Sequence, residues 1–430
     1  MLFRSETVFI DNPTNYPDVA NIASAEEPIV NAHIYTLGEK VTTVNLEDKA
    51  TTTTLNFDNA LTAATLGVNN VTGANNINVT NGGTALKTLT INASGKASSI
   101  TLVNTAADIE TLNITGKADL TLATTLVTIK TVDGSKAEGN LTFSNTATMT
   151  SVKTGSGNDT VTVAANVTFG ETINLGAGND KLVAGAGTIA AGSIIDGGAG
   201  IDSLDSTLVT VGNAGVFASF ETISLTAATV TALDMDLLTK STITSIAKDA
   251  DNAHTLLNVK KSQSLTVNAA ATATTLTFKA SEVAGTADAY TINFDKKTTG
   301  ATFDANIVTI AGIETVTVNS LGKTSAATDT NKITLKDEKD YQLLDMIIEK
   351  LKKIFKADKL MRRCPNLNTY QKQRRQSLKT QKQKNPVTHD LTVHQSTVIN
   401  SAKGVIMPDT NTNINPALQN TINQIWDMQI

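Results

Sequence analysis

A short phrase recurs along most of this chain at nearly constant spacing. Each copy alternates apolar and polar residues and then reaches a small or turn-forming residue, as in LKTLTINASG (Leu86–Gly95) and IETLNITG (Ile109–Gly116). The apolar residues that follow the shared Thr or Ser are 23, 20, 20 and 21 residues apart. These markers are Leu89, Leu112, Val132, Val152 and Ile173. A period in the low twenties is typical of one solenoid coil, which buries its apolar face only by stacking on its neighbours.

Weaker copies extend the repeat to Val316 and predict the fold class. Their markers are Ile194, Ile223, Ile246, Leu265 and Ile292. Alternation within phrases such as TLTIN and TVTVN puts aliphatic residues on one face and Thr or Asn on the other. An aromatic content of only 4% suits a narrow column of branched aliphatic side chains. We predict an all-β, right-handed parallel β-solenoid; a β-sandwich is the competing fold, disfavoured because few Asn-Gly hairpin signals separate the copies.

Charge divides the chain near residue 336. Residues 336–430 carry 16 basic and 9 acidic residues, a net charge of +7, which leaves −12 for residues 1–335. The only cysteine, Cys364, lies in the basic part, so no disulfide framework is expected. The predicted segments are an N-terminal segment (1–37), the Thr-rich solenoid (38–335), a basic helical segment (336–384) and a weakly ordered tail (385–430).

Three glycine- and aspartate-rich turns within residues 154–205 carry the most specific chemistry. They read TGSGNDTVTV (Thr154–Val163), LGAGNDKLVA (Leu175–Ala184) and GGAGIDSLDS (Gly197–Ser206). Glycine permits positive φ and brings carbonyl oxygens together, and aspartate adds charge, which together suit the oxygen coordination of Ca²⁺. The candidate metal-site residues are Gly155, Gly157, Asn158, Asp159, Gly176, Gly178, Asn179, Asp180, Gly197, Gly198, Gly200 and Asp202.

The spacing of the three aspartates sharpens this prediction. Asp159, Asp180 and Asp202 are 21 and 22 residues apart, which is the coil period, so we expect them to stack on one edge. Three stacked turns leave two gaps and therefore predict about two shared calcium sites, with Asp180 in both. Without a cation such a column would repel itself. The alternative is plain glycine turns with surface aspartates, and Asp196 and Asp205 are either further ligands or solvated acids.

These turns resemble the calcium-binding nonapeptide of RTX proteins, G-G-x-G-x-D-x-U-x. The third copy matches it through Gly197, Gly198, Gly200, Asp202 and Leu204. The first two copies begin with Thr154 and Leu175 in place of glycine. In that family the motif recurs every nine residues and lines both edges, whereas here it occurs once per coil, so the resemblance implies a short, one-sided ladder.

More broadly, the Thr-, Ala- and Asn-rich stretch 41–334 resembles bacterial surface-layer proteins and large RTX-type surface proteins exported by type I secretion. The resemblance implies an extracellular, calcium-binding structural protein of the cell surface. Its folding and assembly would be coupled to external calcium, and its partner would be a second copy or a cell-surface polysaccharide. The basic C-terminal part departs from the appearance of that family.

Two other functional classes remain open from the sequence. A calcium-stabilised adhesin would bind a glycan or a host surface, and a β-helix polysaccharide-degrading enzyme would need paired carboxylates in a cleft. The sequence contains no H-E-x-x-H, G-x-S-x-G or P-loop motif, so we expect no enzyme activity. We expect no nucleic-acid partner, and no apolar run is long enough to cross a membrane.

The basic segment predicts an amphipathic cationic helix. Its apolar residues recur at helical spacing, namely Leu344, Ile347, Ile348, Leu351, Ile354 and Phe355. Such a helix would cap the open end of the solenoid or belong to a segment foreign to the original gene. Binding to a membrane surface or a nucleic acid is the less favoured interpretation.

Overall fold

A computed structural model describes residues 41–336 in part, together with five flanking strands. The description omits 49–51, 73–75, 82–84, 104–107, 227–231, 251, 270–272, 296–302 and 321–330. The flanking strands are Thr7–Ile10, Val19–Ala23, His33–Leu37, His389–Val393 and Thr397–Asn400.

Nearly all of the regular structure is β-strand, and the described strands form three sheets. The first sheet has sixteen strands: β1 (Thr7–Ile10), β3 (His33–Leu37), β5 (Thr53–Phe57), β7 (Asn76–Asn81), β9 (Ser98–Val103), β11 (Leu120–Thr124), β13 (Leu141–Ser144), β15 (Thr160–Val163), β17 (Lys181–Ala184), β19 (Ser203–Asp205), β21 (Thr222–Leu225), β23 (Ser245–Lys248), β25 (Ser264–Val267), β27 (Ala289–Phe294), β29 (Thr315–Ser320) and β32 (Thr397–Asn400). The second sheet has ten strands: β2 (Val19–Ala23), β4 (Thr43–Glu47), β6 (Ala63–Asn69), β8 (Thr88–Ala93), β10 (Thr111–Gly116), β12 (Thr131–Ala137), β14 (Ser151–Lys153), β16 (Thr172–Asn174), β18 (Ile194–Asp196) and β20 (Phe217–Ala218). The third sheet has six strands: β22 (Leu233–Asp234), β24 (His254–Val259), β26 (Thr274–Phe278), β28 (Phe303–Ile310), β30 (Asn331–Lys336) and β31 (His389–Val393).

This arrangement confirms the parallel β-solenoid. Consecutive strands alternate between sheets, and each strand up to β30 pairs in parallel with the strand one coil away. The buried markers Leu89, Leu112 and Val132 are paired in register, so their side chains form one continuous aliphatic column. Thr and Asn at the alternating positions are more exposed, as the period-two pattern predicts.

The register corrects part of the sequence-based alignment of coils. The strong markers lie in the second sheet, whereas Ile223 and the weaker markers after it lie in the first sheet. Ile194 is also a wrong marker, because Ile195 pairs with Ile173 and is fully buried while Ile194 is 60% exposed. A constant spacing recovers the coil period, but it does not tell which of two similar strands in a coil a phrase occupies.

The ladder extends beyond the sequence-based boundaries at both ends. At the N-terminal end, β1 pairs with β3 and β2 pairs with β4, so the boundary at residue 38 falls inside the parallel ladder. At the C-terminal end, β32 and β31 pair antiparallel with β29 and β30. These two strands lie within the predicted tail and pair with the last parallel strands of the first and third sheets. The predicted helix around 344–359 lies outside the described residues.

The first sheet is continuous, whereas the strands that alternate with its own belong first to the second sheet and then to the third. The second sheet ends at β20, and the third begins at β22. Short 3₁₀ turns at Ser206–Leu208, Ala214–Val216 and Met235–Leu237 mark this junction. Phe217 and Phe220 fill its core in an edge-to-face pair with ring centroids 6.4 Å apart. The three glycine- and aspartate-rich turns lie immediately before this junction.

Candidate metal centre

The three Gly/Asp turns connect a second-sheet strand to a first-sheet strand in three consecutive coils. They join β14 to β15, β16 to β17, and β18 to β19. The residue after each aspartate is in register with its counterparts, because Thr160 pairs with Lys181 and Lys181 pairs with Ser203. Asp159, Asp180 and Asp202 therefore stack on one edge, as their spacing predicts; metal binding itself stays a prediction.

Glycine is required because successive turns approach through their backbones. Gly178 and Gly200 adopt φ of 136° and 141°, which side chains disfavour. A Cβ on Gly178 would lie 2.1 Å from the Gly157 carbonyl oxygen, and one on Gly200 would lie 1.6 Å from that of Gly178. The stacked turns therefore bring carbonyl oxygens close to the chain of the following coil.

The aspartates form an internal hydrogen-bond ladder instead of pointing into solvent. The Asp159 N–H donates to Asp180 Oδ1 at 2.7 Å, and the Asp180 N–H donates to Asp202 Oδ1 at 2.8 Å. All three residues are at most 1% exposed. The alternative of plain turns with surface aspartates is therefore wrong in its placement of the side chains, which tie each coil to the one before.

A second ladder runs beside the first and is built from asparagines. The Asn158 N–H donates to Asn140 Oδ1, the Asn179 N–H to Asn158 Oδ1, and the Ile201 N–H to Asn179 Oδ1, at 2.6 to 2.9 Å. These side chains lie in exposed surroundings. The oxygens of Asn158 and Asn179, two of the predicted metal-site residues, already serve to align the turns.

Two carboxylate oxygens in the aspartate ladder accept no hydrogen bond from any residue that the structure describes. In the first turn Asp159 Oδ2 accepts the Gly155 N–H at 3.0 Å. In the other two turns the equivalent glycine N–H groups donate to the side chains of Asn174 and Asp196. Asp180 Oδ2 and Asp202 Oδ2 are consequently buried with no hydrogen-bond partner among the described residues.

Burial raises the pKa values of the three aspartates. Burial, together with the neighbouring charges of Asp159 and Asp202, raises the pKa of Asp180 to about 7. Burial, together with the charges of Glu221 and Asp196, raises the pKa of Asp202 to about 6. Burial also raises the pKa of Asp159. Near neutral pH the column therefore needs a proton or a cation to neutralise it.

In another turn of the same solenoid, a lysine side chain neutralises a buried aspartate. Asp288 is 5% exposed and accepts the Gly285 N–H, and its own N–H donates to Glu314 Oε2 at 2.9 Å. This repeats the local pattern of the Asp ladder. Here, however, Lys261 Nζ lies 2.6 Å from Asp288 Oδ1 and supplies the positive charge. Among the described residues no comparable ion pair reaches Asp180 or Asp202.

The two flanking acids that the sequence left undecided have different roles. Asp196 lies at the third turn, where its Oδ1 accepts the Gly198 N–H and its charge acts on Asp202. Asp205 begins a 3₁₀ turn, where it accepts from the N–H and hydroxyl of Thr207, and its other oxygen accepts the Thr226 hydroxyl. Asp205 is thus a structural cap, and only Asp196 belongs to the candidate centre.

Sequence reasoning missed a fourth carboxylate in the column. Thr222 pairs with Ser203, which places Glu221 one coil beyond Asp202 in the same position. The Asp202 N–H donates to Glu221 Oε2 at 2.9 Å. The available signal was the acid directly before the strand in FETISL, which lacks the glycines of the other turns.

The donor set fits Ca²⁺ only if the backbone contributes. Among the described residues no three His, Cys, Asp or Glu side chains come together as a metal site. The centre instead offers unpartnered carboxylate oxygens and closely stacked backbone carbonyls, which are hard oxygen donors that Ca²⁺ accepts in sets of six to eight. Unpartnered buried carboxylate oxygens favour a cation over an empty turn.

A cavity at the sheet junction bears on the enzyme alternative. It has a volume of about 340 Å³ and is lined by residues that include Ser206, Leu233, Asp234 and His254. Asp234 is the single carboxylate in the described lining. The carboxylate pair that glycan hydrolysis uses is not present among these lining residues.

No protein-family model matches the chain, and no curated protein is significantly similar to it. The parallel β-solenoid is compatible with a structural or adhesive role. Within the part of the chain that is described, no helix has the length and apolar character to cross a membrane.

Proposed function

We propose that this chain is a calcium-binding structural protein of the bacterial cell surface, whose Gly/Asp edge becomes fully ordered when calcium binds outside the cell. The observation that carries this proposal is the buried, stacked Asp180 and Asp202 pair, in which each carboxylate keeps one oxygen without a hydrogen-bond partner in the part of the chain that the structure describes. The RTX-like turns and the parallel solenoid are consistent with it.

Calcium would neutralise charge that the fold itself leaves uncompensated. The Lys261–Asp288 pair supplies positive charge from a side chain. No such pair reaches Asp180 or Asp202 in the described ranges, which favours an external cation. Calcium sites in extracellular modules have dissociation constants of roughly 10⁻⁴–10⁻³ M. Sites of that strength would stay empty in a calcium-poor cytoplasm and fill outside, so that folding of the edge is linked to export.

The hydrogen bonds refine which aspartate matters most for binding. Asp180→Asn and Asp202→Asn each remove an unpartnered oxygen's charge, so each is expected to lose about one bound calcium. Asp159→Asn is expected to keep calcium binding, since both Asp159 oxygens already accept N–H groups. Asn keeps an acceptor for the ladder N–H at 180 and 202, which limits damage there. At 159 it can accept only one of the Leu141 and Gly155 N–H groups, so circular dichroism must first show that Asp159→Asn is folded.

Calorimetric titration of calcium into the three full-length variants measures this series. Equal losses in all three would contradict the role assigned to the unpartnered oxygens. Unchanged binding in Asp180→Asn and Asp202→Asn would remove the calcium proposal for these turns altogether.

The structural role has its own test, which is calcium-dependent assembly of the purified chain. Light scattering and negative-stain electron microscopy with and without calcium are expected to show ordered assemblies only with calcium, and none for Asp180→Asn. A chain that binds calcium and stays monomeric at all protein concentrations would contradict the lattice-forming role and favour the adhesin.

A further inference from the structure

The carboxylate of Asp202 directs one oxygen to the preceding coil and keeps the other within its own turn. Its Oδ1 is used by the preceding coil, through the Asp180 N–H. Its Oδ2 lies beside Gly197, because a Cβ built on Gly197 would be 2.9 Å from that oxygen. The same Cβ would be 2.2 Å from the carbonyl oxygen of Ser219, which belongs to the following coil. Glycine at 197 therefore leaves open a space that two oxygens border.

The following coil presents the Ser219 carbonyl oxygen from an unusual backbone conformation. Ser219 has φ of 57°, a left-handed conformation in a non-glycine residue. Strand register places Ser219 in the position of Gly197, because Asp196 pairs with Ala218. The Ser219 carbonyl oxygen therefore lies against Gly197 in a coil that lacks the Gly/Asp motif.

Glu221 completes this coil as the carboxylate in the aspartate position. Its Oε2 accepts the Asp202 N–H, the same contact that Asp202 makes with Asp180. Its charge also acts on Asp202, as does that of Asp196. Negative charge therefore accumulates beside an oxygen of Asp202 that is fully buried and has no hydrogen-bond partner among the described residues.

We propose that the cation ladder extends one coil beyond the last Gly/Asp turn, with Glu221, the Asp202 carboxylate and the Ser219 carbonyl forming a divalent-cation site at its end. This inference rests on the proposed calcium function and specifies its ligands. The positions of the sites differ from those that the motif spacing alone predicts, which are the two gaps on either side of Asp180. Both oxygens of Asp159 already accept N–H groups, so the ladder is displaced by one coil toward the sheet junction.

Glu221→Gln in the full chain tests the site. Gln keeps an acceptor for the Asp202 N–H and removes the charge, so calcium titration calorimetry is expected to show one calcium fewer per chain than wild type. Glu314→Gln is the matched control, because Glu314 makes the same contact with the Asp288 N–H in a coil where Lys261 supplies the cation. That variant is expected to bind as many calcium ions as wild type.

The outcomes separate this inference from the function on which it rests. Unchanged stoichiometry in Glu221→Gln, with loss of a calcium in Asp159→Asn, would overturn the displaced site and leave the calcium proposal standing. A wild-type chain that binds no calcium would overturn the calcium proposal itself.

A measurement on the wild-type chain covers the case in which Glu221→Gln does not fold. Hydrogen exchange followed by mass spectrometry is expected to show slower exchange at residues 217–223 when calcium is added, and no change at residues 313–319. Protection confined to residues 175–202 would overturn the inference.

Discussion

In the presence of a chelator the protein is expected to become more stable as the pH falls from about 8 to about 5.5. In the presence of calcium it is expected to become less stable over the same pH range. The cause lies in Asp180 and Asp202, whose pKa values in the folded chain are about 7 and about 6, against an ordinary value of 3.8. A carboxyl whose pKa rises on folding binds its proton more tightly in the native state. Its ionised form therefore destabilises the fold above the folded pKa, and protonation relieves this as the pH falls through that value.

The magnitude is large for a change confined to two side chains. One pKa unit corresponds to about 1.4 kcal/mol, and pH 5.5 lies about 1.5 units below the folded pKa of Asp180, so its protonation is expected to add on the order of 2 kcal/mol to the unfolding free energy. Calcium neutralises the same charges without a proton. It competes best at high pH, so the calcium-bound protein is expected to lose stability on acidification.

Thermal unfolding of the full chain at both pH values, in chelator and in millimolar calcium, measures the crossover. Asp180→Asn carries no titrating group at that position and is the control, since its unfolding temperature in chelator should vary much less with pH. A wild-type chain that is less stable at about pH 5.5 in chelator would show that the buried carboxylates do not govern this dependence.

Gly200→Ala is the second substitution expected to have a large effect. An alanine Cβ would lie 1.6 Å from the Gly178 carbonyl oxygen, and the φ of 141° disfavours any side chain. Because the obstacle is backbone of the neighbouring coil, relief requires separation of the two turns. We expect a loss of about 3 kcal/mol or more in unfolding free energy, with weakened calcium binding.

Gly215→Ala is the matched control for that substitution. No neighbouring atom lies within 4 Å of a Cβ placed on Gly215, and its φ is not in the left-handed region. Denaturant unfolding followed by circular dichroism is expected to show little change in its midpoint. Similar midpoints for the two variants would contradict the close stacking of the turns.

The coil period and the fold class were readable from the sequence because they depend on burial alone. Leu89, Leu112 and Val132 recur at the coil spacing and lie in one buried column. Ile194 shows the limit of that reading: it is adjacent to the true column residue Ile195, and both are aliphatic. Hydrophobic pattern identifies a strand but does not set register to one residue when neighbours are alike.

The candidate centre was predictable in position and less so in chemistry. The 21- and 22-residue spacing of Asp159, Asp180 and Asp202 predicts their stacking. It does not predict that both Asp159 oxygens accept N–H groups, whereas Asn174 and Asp196 accept the equivalent glycine N–H groups in the other two turns. Such competition between acceptors is set by local geometry.

Glu221 was hidden for a related reason. It occupies the aspartate position of the ladder, but the turn before it lacks the glycine motif and is shorter than the other turns. Only strand register, which places Thr222 beside Ser203, aligns it with Asp202. A motif search detects residues that share a local pattern, whereas a solenoid also aligns residues from coils of different length.

The most direct test of the central claim is a calcium titration of the full-length, chelator-treated chain, with heat and far-ultraviolet circular dichroism followed together and magnesium as the control ion. The chain is expected to bind about two calcium ions saturably at sub-millimolar to millimolar concentration, with a gain of strand signal. Complete strand signal in chelator, with no calcium-specific heat, would contradict it.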